Sequence, residues 1–321
     1  MGGYLKNGIW QTAAPPLVNA QGEFVRSESQ FRGWITDDGS GDFEPEAGRY
    51  HLYVSYACPW AHRTLLVRAL KGLEDIISAS VVDPVCGENG WMFSSYPGAT
   101  IDHVNGLAAL HELYTLNRSD YTGRVTVPVL WDKRTGRIVS NESSDIIRML
   151  NGAFTDFQRH SVDFRPTSLN SEIDAMNDFI YRHVNNGVYQ CGFATTQPAY
   201  NEAVASLFDA LDILEDRLSS SRYLMGDFIA EPDLRLFPTL VRFDCVYFIH
   251  FKCCLRRITE YPNLANYLKD MYQVPGVAGT VNMDHMKRHY YLSHPHLNPA
   301  GIIPVGPTFD LSAPHNRHHF F

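Results

Sequence analysis

A cysteine followed directly by proline, at the junction of a strand-like and a helix-like stretch, is the residue of this chain best placed to do chemistry. Tyr50-His-Leu-Tyr-Val-Ser-Tyr56 alternates apolar and polar side chains and is rich in β formers, so it reads as a strand. After Cys58-Pro59-Trp60, the apolar residues Leu65, Leu66, Ala69 and Leu70 recur with helical spacing as far as Gly72. Proline just inside a start and glycine just past an end mark a helix. The first N–H groups of a helix lack partners, and the helix dipole is positive there. A thiolate at Cys58 is stabilised by that field, which is expected to draw its pKa from about 8.5 toward the roughly 3.5–7.5 range of helix-terminal thiols. Three residues on stands Ala61 rather than a second cysteine. Oxidised Cys58 must then be resolved by an external thiol, for which glutathione is the abundant candidate. The competing reading, a buried structural cysteine, fits this setting poorly. It stays the default for the cysteines at 86, 191, 245, 253 and 254.

Two further segments suit a small peptide thiol. Val127-Pro128 places a proline inside a strand-like run, where it fits either a cis-proline edge whose Val127 backbone is open to a ligand or a plain edge strand. Glu142-Ser143 opens a helical stretch. A hydroxyl and helix-start N–H groups suit a carboxylate and Glu142 suits an ammonium, so the pair could hold the zwitterionic γ-glutamyl end of glutathione. An ordinary helix cap would look the same.

The elements that must position these residues follow from periodicity. The segment Ile76–Val82 reads as a second strand, parallel to the first because a helix crosses between them. Residues 84–105 form a long loop, functional or mobile at that length. The stretch Leu107–Leu116 reads as a helix, Val125–Trp131 and Arg137–Val139 as two strands joined by a turn, and Glu142–Leu150 as a short helix. Beyond about residue 165 strand signals vanish. The stretches Glu172–Val184, Ala199–Leu218, Asp233–Phe248 and Leu264–Tyr272 carry helical periodicity. The expected organisation is a largely irregular N-terminal arm over 1–45, anchored by Phe31, Trp34 and Ile35; an α/β domain over 46–160; an all-helical domain over 161–290; and an irregular tail over 291–321.

The 321 residues favour two domains. With 27 Lys+Arg against 35 Asp+Glu, the net charge of −8 argues against a phosphate-backbone binder, and no run of Lys/Arg offsets it. There is no apolar run long enough to span a membrane, the start Met1-Gly-Gly-Tyr-Leu-Lys-Asn has no apolar signal core, and Lys6 breaks the myristoylation pattern of Gly2. Six cysteines without a C-x-x-C pair point to a reducing, cytoplasmic setting. The 14 histidines gather toward the C-terminus, at 285, 289, 294 and 296 and again at 315, 318 and 319, without a metal-ligand spacing.

Four blocks in order, Cys58-Pro-Trp-Ala-His-Arg-Thr, Asn185-Asn-Gly-Val-Tyr-Gln-Cys-Gly-Phe-Ala-Thr-Thr-Gln197, His289-Tyr-Tyr-Leu-Ser-His294 and Asn298-Pro-Ala-Gly-Ile-Ile-Pro-Val-Gly-Pro307, resemble the glutathionyl-hydroquinone reductases, the Xi class of the glutathione transferases. The resemblance implies a thioredoxin-like, glutathione-binding N-terminal domain followed by a helical C-terminal domain that takes the aromatic substrate. It implies Cys58 as nucleophile. Trp91, Val127, Glu142, Ser143 and Arg124 are the implied glutathione contacts, and Tyr189, Tyr290 and Tyr291 the implied aromatic-substrate residues. It further implies a homodimer that needs no metal and acts on glutathione and glutathionyl-quinols. Phenolic O–H groups of Tyr189 and Tyr290 would bind substrate hydroxyls and favour a keto-like form whose carbon–sulfur bond breaks more easily.

Two alternatives stay open. One is an omega-like thiol transferase reducing dehydroascorbate or protein–glutathione disulfides. The other is a non-enzymatic binding protein on a transferase fold. The chain also departs from the transferase pattern at Ala230, where a Ser or Thr usually caps the helix three residues before Asp233. A missing cap costs about 0.5–2 kcal/mol, so Ala230→Thr is expected to raise the melting temperature.

Overall fold

The computed structural model describes residues 3–38 and 40–320. Met1, Gly2 and Gly39 of the expected arm and Phe321 of the expected tail lie outside the described residues. The chain divides into two compact units. The first holds residues 1–16, 27–162 and 279–303; the second holds 17–26, 163–278 and 304–321.

The first unit is built on a four-stranded sheet of β3 (Tyr50–Val54), β4 (Ser78–Val81), β6 (Val129–Asp132) and β7 (Arg137–Ser140), in the order β4-β3-β6-β7. Helix α1 (Pro59–Leu70) makes the crossover that leaves β4 parallel to β3, while β6 and β7 run antiparallel. Every residue of β3 is buried, as befits a central strand covered on both faces. Arg49 and Asp132 close the β3–β6 edge with two buried hydrogen bonds of 2.9 and 2.6 Å. Helix α1 stops at Gly72, whose φ of +65° suits the left-handed residue after a helix end. Helices α2 (Leu110–Asn117) and α3 (Ser143–Gly152) complete this layer, with α3 packed on α1. Helix α10 (Met283–Ser293) also belongs to this unit. It runs through the 290/291 boundary expected from the sequence.

The arm is more ordered than expected. β1 (Tyr4–Lys6) and β2 (Ile9–Gln11) form a hairpin, and β1 pairs on its other side with β5 (Gly123–Arg124). The turn is Asn7-Gly8, both at positive φ (50° and 75°), the pairing geometry a two-residue hairpin favours. Phe31 and Ile35 are buried anchors, but Trp34 is 42% exposed and does not serve as one.

The second unit is helical: α4 (Asn170–Ile180), α5 (Gly187–Phe193), α6 (Gln197–Arg217), α7 (Glu231–Arg242), α8 (Phe248–His250) and α9 (Pro262–Gln273). Five-residue π turns, Tyr181–Asn185 and Phe243–Tyr247, lengthen α4 and α7. All of α7 is buried, including its charged residues. Asp233 accepts from the backbone N–H groups of Leu224 (3.0 Å) and Ala230 (2.9 Å) and from the Tyr267 hydroxyl (2.9 Å). Residues 304–320 are largely irregular, as expected, but Leu311 and Arg317 are buried. Arg317 is fully buried and donates to the Leu218 and Arg222 carbonyls at 2.8 and 2.9 Å, closing the C-terminal end of α6. Gln273 holds the Leu311 and Ala313 carbonyls at 2.9 Å each. Among the described residues no helix is long and apolar enough to cross a membrane.

Candidate active site

β3 ends at Val54, and a short turn carries the chain to the start of α1. Cys58 is the N-cap residue, extended at φ −78° and ψ 120°, with Pro59 as the first helical residue. Its N–H donates to the Ser55 carbonyl at 3.2 Å, which fixes the turn. The half-buried Sγ does not cap the helix; its S–H donates to the Val127 carbonyl at 3.5 Å. The thiol therefore sits at the positive end of α1, whose first turn carries no acidic residue to oppose that field. The Val127–Pro128 bond is cis, and Pro128 directly precedes β6, which is an interior strand of the sheet rather than the edge strand both readings expected.

Arg63, one turn into α1, is buried and connects this helix to α3. Its Nη1 donates to Ser143 Oγ at 3.3 Å, and its guanidinium lies 4.5 Å from the centre of the Trp60 ring. Ser143 is the first residue of α3 and Glu142 its N-cap. The Glu142 carboxylate accepts from Ser144 N–H (3.1 Å), Ser144 Oγ (2.9 Å) and Ser29 Oγ (2.9 Å). Burial pushes this carboxyl upward, but the Ser144 and Ser29 donors and the Arg63 charge outweigh it and hold Glu142 below the usual carboxylate range. The result is a fixed, half-buried negative charge beside a helix N-terminus.

Trp91 lies in the long loop, buried, with its ring stacked on the His289 ring at 4.8 Å between centres and 20° between planes. His289 is in turn tied to the Pro84 carbonyl at 3.1 Å, and Ser293 Oγ accepts from Cys86 N–H at 2.9 Å. Tyr96 donates to Asp284 at 2.7 Å, and His285 Nε2 meets the Pro97 carbonyl at 2.8 Å. Helix α10 thus laces down the loop that carries Trp91. Tyr290 and Tyr291 of α10 are both buried; the Tyr290 ring lies between His289 (5.2 Å) and His294 (5.8 Å). The Tyr291 carbonyl accepts from Asn298 Nδ2 at 2.7 Å, which turns the chain back at Asn298 toward the end of the helix. Arg124, on β5, spends its guanidinium on the Pro15 carbonyl of the arm.

Tyr189 belongs to the second unit, on α5. Its ring is boxed by Phe24 (6.0 Å), Phe193 (6.1 Å), Tyr247 (6.1 Å) and Phe251 (5.4 Å), with the Arg26 guanidinium 4.9 Å from its centre. Among the expected site residues, direct contacts join Cys58 to Val127 and Glu142 to Ser143. Sequence reasoning passed over Ser29, Arg63, Arg26 and His289. Arg63 and His289 lie inside quoted motif blocks, but nothing in their spacing marks their partners. Among the described residues no three His, Cys, Asp or Glu side chains converge as a metal site would require.

Comparison with known proteins bears on this geometry. The glutathione S-transferase N-terminal domain family matches residues 57–153, and the glutathione S-transferase C-terminal domain family matches residues 197–270. The chain is 52% identical over 322 residues, 98% of both chains, to the glutathionyl-hydroquinone reductase YqjG of Escherichia coli K12. A Xi class GST from Natrialba magadii superposes with a TM-score of 0.94 at 50% identity, covering 99% of this chain and 97% of that one. The glutathione-bound structure of YqjG, described as a glutathione transferase homolog, superposes with a TM-score of 0.92 at 50% identity, covering 99% and 100%.

Proposed function

The chain belongs to the glutathione S-transferases, in the Xi class of glutathionyl-hydroquinone reductases, and from that premise we propose that it reduces glutathionyl-hydroquinones with glutathione, using Cys58 as nucleophile. The observation that carries this reading is the Cys58 thiol at the N-terminus of α1, 3.5 Å from the Val127 carbonyl, with Ala61 where a resolving cysteine would stand.

The chemistry follows. The Cys58 thiolate attacks the glutathionyl sulfur of the substrate; a sulfur–sulfur bond forms and the carbon–sulfur bond breaks. An aryl carbanion would leave poorly. If a phenolic proton first moves to the sulfur-bearing carbon, the electron pair of the breaking bond instead ends on the ring oxygen, and hydroquinone leaves as a phenolate. A second glutathione thiolate attacks the glutathionyl sulfur of the mixed disulfide and frees Cys58. The sum is one glutathionyl-hydroquinone and one glutathione converted to one hydroquinone and one glutathione disulfide.

Glutathione binding is assigned to Val127 through its backbone, to Glu142 toward the ammonium, to Ser143 and the start of α3 toward the γ-glutamyl carboxylate, and to Trp91, which His289 holds flat. Glu142 suits its role because its surroundings keep it ionised. Arg124, whose guanidinium donates to the Pro15 carbonyl, is assigned a further glutathione contact. Tyr189, Tyr290 and Tyr291 are assigned to the aromatic part of the substrate. The same family reading carries a metal-free homodimer acting in the cytoplasm, a setting in keeping with six free thiols; the molar mass in solution tests the assembly. The mechanism is tested by mixing enzyme with glutathionyl-hydroquinone in the absence of free glutathione. Intact-mass measurement should find one glutathionyl group on Cys58 and an equal amount of hydroquinone released. Hydroquinone release with no modified Cys58 would overturn it.

A further inference from the structure

When the carbon–sulfur bond breaks, negative charge gathers on a hydroquinone oxygen, and the largest help a protein gives such a step is a preplaced donor or positive charge. The second unit contains a cation built into its aromatic cluster. Residues 17–26 fold as a tight turn closed by the Val18–Phe24 bridge and by Asn19 Oδ1, which accepts from the N–H groups of Gln21 and Glu23 at 3.0 Å each. The Gly22 carbonyl accepts from Thr195 N–H at 3.0 Å, pinning the turn to the end of α5. The segment ends at Arg26.

The Arg26 guanidinium lies 4.9 Å from the centre of the Tyr189 ring and 5.2 Å from that of Phe24. Its Nε donates to Asn186 Oδ1 at 3.2 Å. The Asn186 carbonyl accepts from Tyr189 N–H at 3.0 Å, so the residue that aims the guanidinium also begins the helix that carries the phenol. Packing alone would be served by any side chain of similar length. A guanidinium adds a full positive charge on the face of a phenol ring, half-buried among apolar groups where charge acts strongly.

We propose that Arg26, aimed by Asn186, is a positioning residue that acts through Tyr189. Its charge draws density from the ring, makes the phenolic O–H a stronger donor, and so stabilises the hydroquinone oxyanion that leaves when Cys58 takes the glutathionyl sulfur. The proposal rests on the glutathionyl-hydroquinone reading and on the assignment of Tyr189 to the substrate. It sets specificity as well as rate. Electron-rich, alkyl-substituted hydroquinones are poor leaving groups and depend on the assisted donor, whereas chlorinated ones carry the charge themselves.

The test compares wild type, Arg26→Met, Arg26→Lys and Asn186→Ala on glutathionyl-hydroquinones graded from methyl- to chloro-substituted, with hydroxyethyl disulfide as a substrate that has no phenolic oxygen. Arg26→Met should lower kcat/KM on the methyl-substituted substrate on the order of tenfold, the scale of one cation–ring interaction. The chlorinated substrate should lose far less, so the plot of log rate against hydroquinone pKa steepens. Disulfide reduction should be little changed, Arg26→Lys should restore part of the loss, and Asn186→Ala should fall between. An unchanged slope, or the same loss on every substrate including the disulfide together with a lower melting temperature, would overturn the proposal and leave Arg26 a packing residue. Wild type that reduces the disulfide but no quinol adduct sinks the substrate reading, and this proposal with it.

Discussion

Glu142→Gln separates charge from shape at the position assigned to the ammonium of glutathione. Glutamine keeps a carbonyl oxygen for the Ser144 N–H (3.1 Å from Oε1), so α3 stays capped, and it places an NH2 where Oε2 accepts from the Ser29 hydroxyl (2.9 Å), which can accept from that NH2 instead. What disappears is the negative charge. A hydrogen bond to a charged group is worth about 1.5–3 kcal/mol, which at about 1.4 kcal/mol per decade is roughly 10–150-fold in affinity. The assay is steady-state reduction of hydroxyethyl disulfide across glutathione concentrations. The KM for glutathione should rise by that factor, while kcat at saturation changes much less. The melting temperature should fall by no more than a few degrees, because the helix-dipole contribution of a first-turn carboxylate is about 0.3–1 kcal/mol. The acid limb of stability gives a second reading. Glu142 has a folded pKa below its unfolded value, so its contribution is present above the unfolded value of about 4.3 and is lost as pH falls through the lower folded value. The variant should therefore be less sensitive to acid than wild type in that window. An unchanged KM in a folded variant would refute the assignment.

Asp233 titrates with the opposite sign. Burial drives it up to about 6 despite its three donors, so its stabilising effect is full below the unfolded carboxylate value of about 3.9 and is lost as pH rises through about 6. Denaturant unfolding of Asp233→Asn should show a flatter pH dependence between those values than wild type; an identical slope rules this out. Ala230 is fully buried and caps α7 without a side-chain acceptor, so only the Asp233-to-Ala230 half of the capping exchange forms. Ala230→Ser supplies the hydroxyl with one atom fewer than Thr and should raise the melting temperature by roughly 2–4 °C per kcal/mol gained, out of about 0.5–2 kcal/mol; a fall means the site has no room. Tyr290→Phe should lower turnover on quinol adducts and spare disulfide reduction, and equal losses on both would remove Tyr290 from the chemistry.

The sequence carried the elements whose signals are local. Pro59 and Gly72 bracket α1 as the structure does, and the all-helical character of the second half follows from its periodicity. Asn7-Gly8 was a legible hairpin signal, but polar punctuation around it made the arm read as irregular. Helix α5 was invisible for a physical reason. It contains Gly187 and Gly192, poor helix formers, and a side chain at Gly192 would come within 2.3 Å of the Phe251 ring. Tertiary packing selects glycine there against local propensity. Helix α10 carries a true start signal, Asn282 accepting from His285 N–H, but its polar, histidine-rich face hid the periodicity. The site shows the same division. Cys58, Val127, Glu142 and Ser143 announce themselves through strand ends and helix starts. Ser29 reaches Glu142 across 113 residues and Arg26 reaches Asn186 across 160, and no local pattern encodes a meeting at that separation.

The most direct test of the account is glutathione-dependent release of hydroquinone from a glutathionyl-hydroquinone, wild type against Cys58→Ala. The account predicts that wild type turns over, forming one glutathione disulfide per hydroquinone, and that the variant does not. A variant that keeps the wild-type rate would contradict the nucleophile. Wild type that is inert toward the quinol adduct yet reduces hydroxyethyl disulfide would contradict the substrate and leave an omega-like thiol transferase.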